Sequence, residues 1–173
     1  MLSSRPQIDN AYVGLGSNLG DRAGYLRLAI QGMIAAGLDI TRVSAIYETE
    51  PVETFAQPAF LNMVAELRGD ALTSPEQLLM TLLRIEETLG RTREAPMGPR
   101  TIDLDLLLCR NETRSTPFIT LPHPRLHHRC FVLVPLAELC PGLIHPLMKQ
   151  TVSELLLTTS DTSAVARWTP ARL

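Results

Sequence analysis

Gly98-Pro99-Arg100-Thr101-Ile102-Asp103-Leu104-Asp105-Leu106-Leu107-Leu108 reads as a strand that carries two carboxylates on one face. Side chains alternate along a strand, so Asp103 and Asp105 point the same way with Cα atoms roughly 6.5 to 7 Å apart. Ile102, Leu104 and Leu106 point to the other face. The run stays apolar after Asp105, which predicts burial on both faces toward its end. Carboxylates this close repel each other, so one must protonate in part or a divalent cation must satisfy both. A D-x-D pair can also be simply the wet half of an amphipathic strand. Burial beyond Asp105 weighs against that, and Arg100 just ahead suits a polyphosphate beside a cation.

Working outward from that strand, Ser74 is a predicted N-cap with Pro75 at the first helical position and Gln77 placed for a capping box. Leu78, Leu79, Leu82, Leu83, Ile85, Glu86 and Leu89 continue this helix, and Gly90 stops it. Farther upstream come a β-rich stretch from Phe60 to Leu67, a turn-prone segment from Glu50 to Pro58 and another β-rich stretch from Ile40 to Thr49. A helix carrying Leu26, Ala29, Ile30, Met33 and Ile34 ends at Gly37, and Ala11–Ser17 forms a short first strand. The order is β-α-β-β-α-β. It predicts an α+β fold with a ferredoxin-like core, an antiparallel sheet and both helices on one face.

Downstream, residues 117–129 read as an irregular basic loop and Cys130 to Leu139 as a helix that Pro135 distorts or begins. Val152 to Leu157 is one more short helix. These are C-terminal helical additions to a core spanning about residues 11–147. The polar residues 158–173 are expected to be loosely held, with Trp168 as the obvious anchor.

At 173 residues and 45% hydrophobic content, one domain is expected across the whole chain. A formal net charge of −2 gives no general nucleic-acid or membrane surface, so the partner is expected to be a small molecule. Cys109, Cys130 and Cys140 match no zinc or redox spacing and read as reduced structural thiols. Without a signal core or a membrane-length apolar run, the protein is expected in the cytoplasm, as a monomer.

Gly14-Leu15-Gly16-Ser17-Asn18-Leu19-Gly20 looks like a dinucleotide loop, but its third glycine comes one residue late and the element order is wrong for a doubly wound sheet. Glycines that turn the strand tightly into its helix, with Asp21 near the helix N-terminus, are the simpler reading. Arg91, Arg93 and Arg100, with Arg125 and Arg129 from the later loop, are candidates for an anion site, or a solvated charge cluster. His123 is held between Pro122 and Pro124. Phe60 and Asn62 share a strand face, where an aromatic platform beside an amide suits a flat heterocycle or packs with a local hydrogen bond.

Together these blocks resemble the 6-hydroxymethyl-7,8-dihydropterin pyrophosphokinase family. The match runs in order over about residues 11–147: Gly14 to Gly20, Tyr47-x-Thr49-x-Pro51, Gln57-Pro58-x-Phe60-Leu61-Asn62, Arg84-Ile85-Glu86, Gly90-Arg91-x-Arg93, Gly98 to Asp105, and Pro122-His123 through Arg129-x-Phe131. The resemblance implies an enzyme of folate biosynthesis that moves the terminal diphosphate of ATP onto a pterin alcohol, leaving AMP. By it, Asp103 and Asp105 would hold two Mg²⁺ ions, with Mn²⁺ as an alternative. Arg91 and Arg100 would serve the polyphosphate in catalysis. Glu86, His123 and Arg129 would complete the ATP site, and Thr49, Val52, Phe60, Asn62 and Phe131 the pterin slot. Met97 stands where relatives often carry a lid aromatic, Glu94 lies in a stretch that is often basic, and Pro124 follows His123 where a Tyr can occur.

Two other readings share the split fold. A nucleotidyl transferase or cyclase with a palm-like core also uses strand carboxylates and two metals. A non-enzymatic regulatory module would carry the two aspartates as surface decoration.

Overall fold

The computed structural model describes residues 9–51, 57–68, 74–91 and 98–170. The strands are β1 (Ala11–Ser17), β2 (Ile40–Val43), β3 (Tyr47–Thr49), β4 (Phe60–Leu67), β5 (Asp103–Cys109), β6 (Arg114–Ser115), β7 (Thr120–Leu121) and β8 (Val165–Arg167). The helices are α1 (Arg22–Ala35), α2 (Pro75–Thr88), α3 (Cys130–Leu139) and α4 (Val152–Thr158). The main sheet runs β5-β1-β4-β3-β8, with β2 also paired to β4 and every pairing antiparallel. This is the ferredoxin-like arrangement, with β1 and β4 central.

The stretch expected as one strand from Ile40 to Thr49 is two. β2 lies along Leu67 to Ala65 and β3 along Asn62 to Phe60 of β4. Between them, Ser44 N donates to Val64 O at 2.9 Å and Val64 N donates to Ser44 Oγ at 2.9 Å. The hydroxyl takes the place of a ladder carbonyl, so the sheet crosses the break without orphaning a buried amide.

α1 and α2 cover one face, where Leu26, Met33 and Leu82 pack against Val13, Leu15, Ile102 and Leu104. α3 and α4 cover the other, where Leu133 and Leu136 meet Tyr12, Val64 and Leu107. The two core helices thus share a face as predicted, and the C-terminal additions fill the opposite one. Double coverage accounts for the apolar run after Asp105. Each fully buried leucine contributes about 1.5–3 kcal/mol relative to leaving it in water.

Helix ends follow the sequence signals. Ser74 Oγ accepts from Gln77 N at 3.2 Å with Pro75 in the first turn, and Asp21 Oδ1 accepts from Gly24 N at 2.9 Å. Gly37 and Gly90, predicted as stops, hold φ of 84° and 77°, a region that costs other residues strain. Pro135 lies inside α3, and the first amide of that helix, Cys130 N, donates to Asp161 Oδ2 at 2.7 Å.

The C-terminal segment differs from the loose tail expected. β8 pairs with β3, and Trp168 N donates to Ile46 O at 2.9 Å while its ring packs on the α1/α2 side. This pairing satisfies the outer edge of β3, which would otherwise be left open. Among the described residues, no helix is long and apolar enough to cross a membrane.

Candidate active site

Sheet register brings polar and glycine residues of distant segments into rows on the α3 face. Asp103 pairs with Gly16, which pairs on its other side with Asn62, and Asp105 pairs with Gly14, which pairs with Val64. Gly14 and Gly16 are therefore interior strand residues and not the tight turn expected of them. Gly20, with φ 63°, makes that turn. A Cβ on Gly16 would stand 3.0 Å from Asn62 Oδ1, and one on Gly14 3.4 Å from Leu107 Cδ2. Bare backbone at these two positions is the floor of an open cleft of about 800 Å³, its solvent-filled mouth included.

Asp103, Asp105 and Arg100 line one side of the cleft, and Thr49, Phe60 and Asn62 the other. Arg129 and Phe131 close it from the start of α3. Asn62 Nδ2 donates to Thr49 Oγ1 at 2.7 Å, which leaves Oδ1 toward the bare Gly16 backbone as an acceptor. The Arg100 guanidinium lies 5.2 Å over the Phe60 ring, and that of Arg129 5.3 Å over Phe131, so each aromatic wall carries a cation.

Arginines hold the acids. Arg91 donates to Asp103 Oδ1 at 2.5 Å, and Arg100 Nε lies 2.9 Å from Asp103 Oδ2. Arg91 also donates to Glu86. Glu86, like Arg91 and His123, is not among the described residues that line the cleft. Its buried carboxylate stands behind β5, where Oε1 accepts from Leu104 N at 2.7 Å, fixing the strand edge between the two aspartates. Asp105 is pushed up to about 7 by burial and by the Asp103 charge, against a weaker pull from Arg129.

His123 is lowered to about 4 by burial, then by Arg129 and Arg125, so its ring is neutral at physiological pH. Arg125 N donates to His123 Nδ1 at 3.3 Å, which leaves the ring proton on Nε2. The expected pterin residue Val52, and Arg93, Glu94 and Met97 of the loop before Gly98, lie outside the described residues.

Among the described residues, no group of three or more His, Cys, Asp or Glu side chains could hold a metal. The two aspartates nonetheless suit a hard divalent cation. They offer oxygen donors only, and one of them cannot ionise readily without a compensating charge.

Sequence reasoning missed the floor glycines, although Gly14 and Gly16 repeat the two-residue period of Asp103 and Asp105. It also left Asn18 unread.

Comparison with known proteins agrees with this geometry. The family described as 7,8-dihydro-6-hydroxymethylpterin-pyrophosphokinase (HPPK) matches residues 12–141. A Bacillus subtilis (strain 168) protein named 2-amino-4-hydroxy-6-hydroxymethyldihydropteridine pyrophosphokinase is 43% identical over 159 residues, covering 91% of this chain and 89% of the relative. A Methylorubrum extorquens protein of the same name is 42% identical over 147 residues, covering 84% and 90%. A crystal structure of an HPPK-DHPS with substrates has a TM-score of 0.67 at 14% identity, covering 86% of this chain and 43% of that one. The chain thus spans under half of that solved chain, and the likeness is one of fold. Because the family pattern extends over most of the sequence, including the aspartate strand and its facing glycines, this chain belongs to the 7,8-dihydro-6-hydroxymethylpterin-pyrophosphokinase family.

Proposed function

We propose that the cleft carries out the folate-pathway reaction in which the terminal diphosphate of ATP passes to the hydroxymethyl group of 6-hydroxymethyl-7,8-dihydropterin. The alcohol oxygen bonds to the β-phosphorus, the bond from that phosphorus to the α,β-bridging oxygen breaks, and AMP leaves with the bridging oxygen. The alcohol proton passes to solvent. One observation carries the reading: a carboxylate pair with Arg100 and Arg129 and an aromatic–amide slot share one cleft across a two-glycine floor.

Asp103 and Asp105 would hold two Mg²⁺ ions, or Mn²⁺ in their place. Bound there, the metal neutralises polyphosphate charge. Arg91 and Arg100, which lie against Asp103, bind phosphate oxygens and steady the charge that grows on the departing AMP oxygen. Glu86 supports the ATP site indirectly, by aiming Arg91 and pinning Leu104. Neutral His123 offers its Nε2 proton to the nucleotide, and Arg129 adds a cation. Phe60 and Phe131 receive the faces of the pterin, and Asn62 and Thr49 its polar edge, with Val52 completing the slot. The enzyme works as a monomer in the cytoplasm.

Chromatography of products from ATP, Mg²⁺ and the reduced pterin alcohol tests the reading. AMP should appear only when the pterin is present. Release of pyrophosphate in place of AMP would reassign the site to nucleotidyl transfer or cyclisation.

A further inference from the structure

The segment Gly14 to Gly20 contains a residue that no step above uses, Asn18. Asn18 is 1% exposed and is absent from the cleft lining, yet its side-chain amide is engaged at both ends. Its Oδ1 accepts from Arg100 N at 2.8 Å, and its own N–H donates to Arg100 O at 3.1 Å. On the other side Nδ2 donates to Gln57 Oε1 and to Pro58 O, each at 3.2 Å. Residue 18 thus pairs with residue 100 as a strand neighbour would, and reaches with its remaining donors to the segment before β4.

We propose that Asn18 is a positioning residue that sets the two walls of the cleft relative to each other, holding the Arg100 backbone on one side and the Gln57–Pro58 segment on the other without touching substrate. The inference rests on the pyrophosphokinase reading for its kinetic consequences. Fixing the Arg100 backbone fixes where the guanidinium stands between Asp103 and the Phe60 ring. Fixing Gln57 and Pro58 fixes the approach to Phe60, which with Gln57 lines the opposite wall. Only a side-chain amide serves both walls, because the task needs one acceptor and two donors at a single buried position. A carboxylate of the same shape keeps the acceptor for Arg100 N but turns a lone pair toward Pro58 O.

Asn18→Asp and Asn18→Ala therefore separate the two arms. In Asn18→Asp the Arg100 arm survives, so KM for the pterin should rise about tenfold with kcat within about threefold of wild type. Asn18→Ala keeps the backbone bond to Arg100 O but loses the side-chain bonds of both arms, and kcat should fall about thirtyfold or more because Arg100 acts on the transition state. Hydrogen exchange at the Arg100 amide, followed by NMR, gives a readout independent of turnover. Exchange should stay slow in wild type and Asn18→Asp, and become at least about tenfold faster in Asn18→Ala.

Wild-type kinetics in both variants would overturn the proposal. So would equal losses of kcat in both with Arg100 exchange unchanged, the pattern of a merely structural defect. Should Asn18→Ala not fold, Asn18→Asp decides alone: a raised pterin KM at preserved kcat supports the clamp, and an unchanged KM sinks it. If wild type makes no AMP, the pyrophosphokinase reading fails, while the exchange pattern still decides whether Asn18 holds Arg100.

Discussion

Two acid centres lie on the α3 face of the sheet, toward opposite ends of β1, and their chemistry is opposite. Glu66, paired with Tyr12, accepts from Arg42 Nε at 2.5 Å, Asn10 Nδ2 at 2.9 Å, Tyr12 OH at 3.0 Å and Thr41 Oγ1 at 3.0 Å. Those bonds, the Arg42 one foremost, draw it down to about 2 despite burial. Arg42 also donates to Leu139 O at 2.8 Å, so this centre ties the end of α3 to the sheet. Among the described residues Asp105 has no comparable set of donors, and it is pushed up to about 7 by burial and the Asp103 charge. The same side-chain chemistry becomes structural where the fold saturates it with donors and, on the proposed reading, is left for a cation where the donors are few.

The sharpest way to break that contrast is substitution at each centre. Asp105→Asn should reduce Mg²⁺-dependent AMP formation by about a thousandfold or more with folding intact, seen in product chromatography beside a thermal melt. Glu66→Gln should do the reverse. Removing a buried charge partner should cost about 2–3 kcal/mol in urea unfolding, at the low end because Arg42 is half exposed, with kcat unchanged. Loss of activity in the second, or of stability in the first, would erase the distinction.

Acid titration sharpens it further, since the two groups slope in opposite directions. Glu66 has a folded value below its unfolded one, so its contribution is full above about pH 4.5 and is lost as pH falls toward 2. Asp105 has a folded value above its unfolded one, so without metal it favours folding at low pH, and that advantage drains as pH rises from about 4 to 7. Denaturation midpoints across this range should show the second slope vanish in Asp105→Asn. Mg²⁺ should raise the midpoint at pH 8 in wild type alone.

A smaller effect is expected at the floor. Gly16→Ala places a methyl 3.0 Å from Asn62 Oδ1, and should raise pterin KM less than about tenfold with little change in the ATP-analogue Kd by calorimetry. The smallest concerns His123, which is already neutral from about pH 5 upward, so kcat/KM should show no inflection from it near 6.5.

Much of the core was legible because its signals are local. Ser74-Pro75 starts α2, Gly37 and Gly90 stop their helices, and the alternation of Asp103 and Asp105 assigns their face. What escaped reading depends on partners far away in sequence. Ser44 interrupts the β2/β3 edge only because Val64 stands opposite, and Val165–Arg167 becomes a strand only because β3 offers an open edge. Asn10, Tyr12, Thr41 and Arg42 carry no motif, and pairing of β1 and β2 with β4 gathers them on Glu66. The cleft was legible in its charged and aromatic residues. Its floor was not, because glycine in a motif suggests a turn before it suggests a vacancy in a sheet.

The family pattern ends at residue 141, but the supports of the cleft do not. Cys130, flanked by Arg129 and Phe131, takes its cap from Asp161, while residues 165–168 seal the β3 edge that carries Thr49. Anyone trimming the gene to the recognisable pattern would discard both fastenings. The shortened product would keep every described side chain that lines the cleft while loosening the scaffold that aims Arg129 and Thr49.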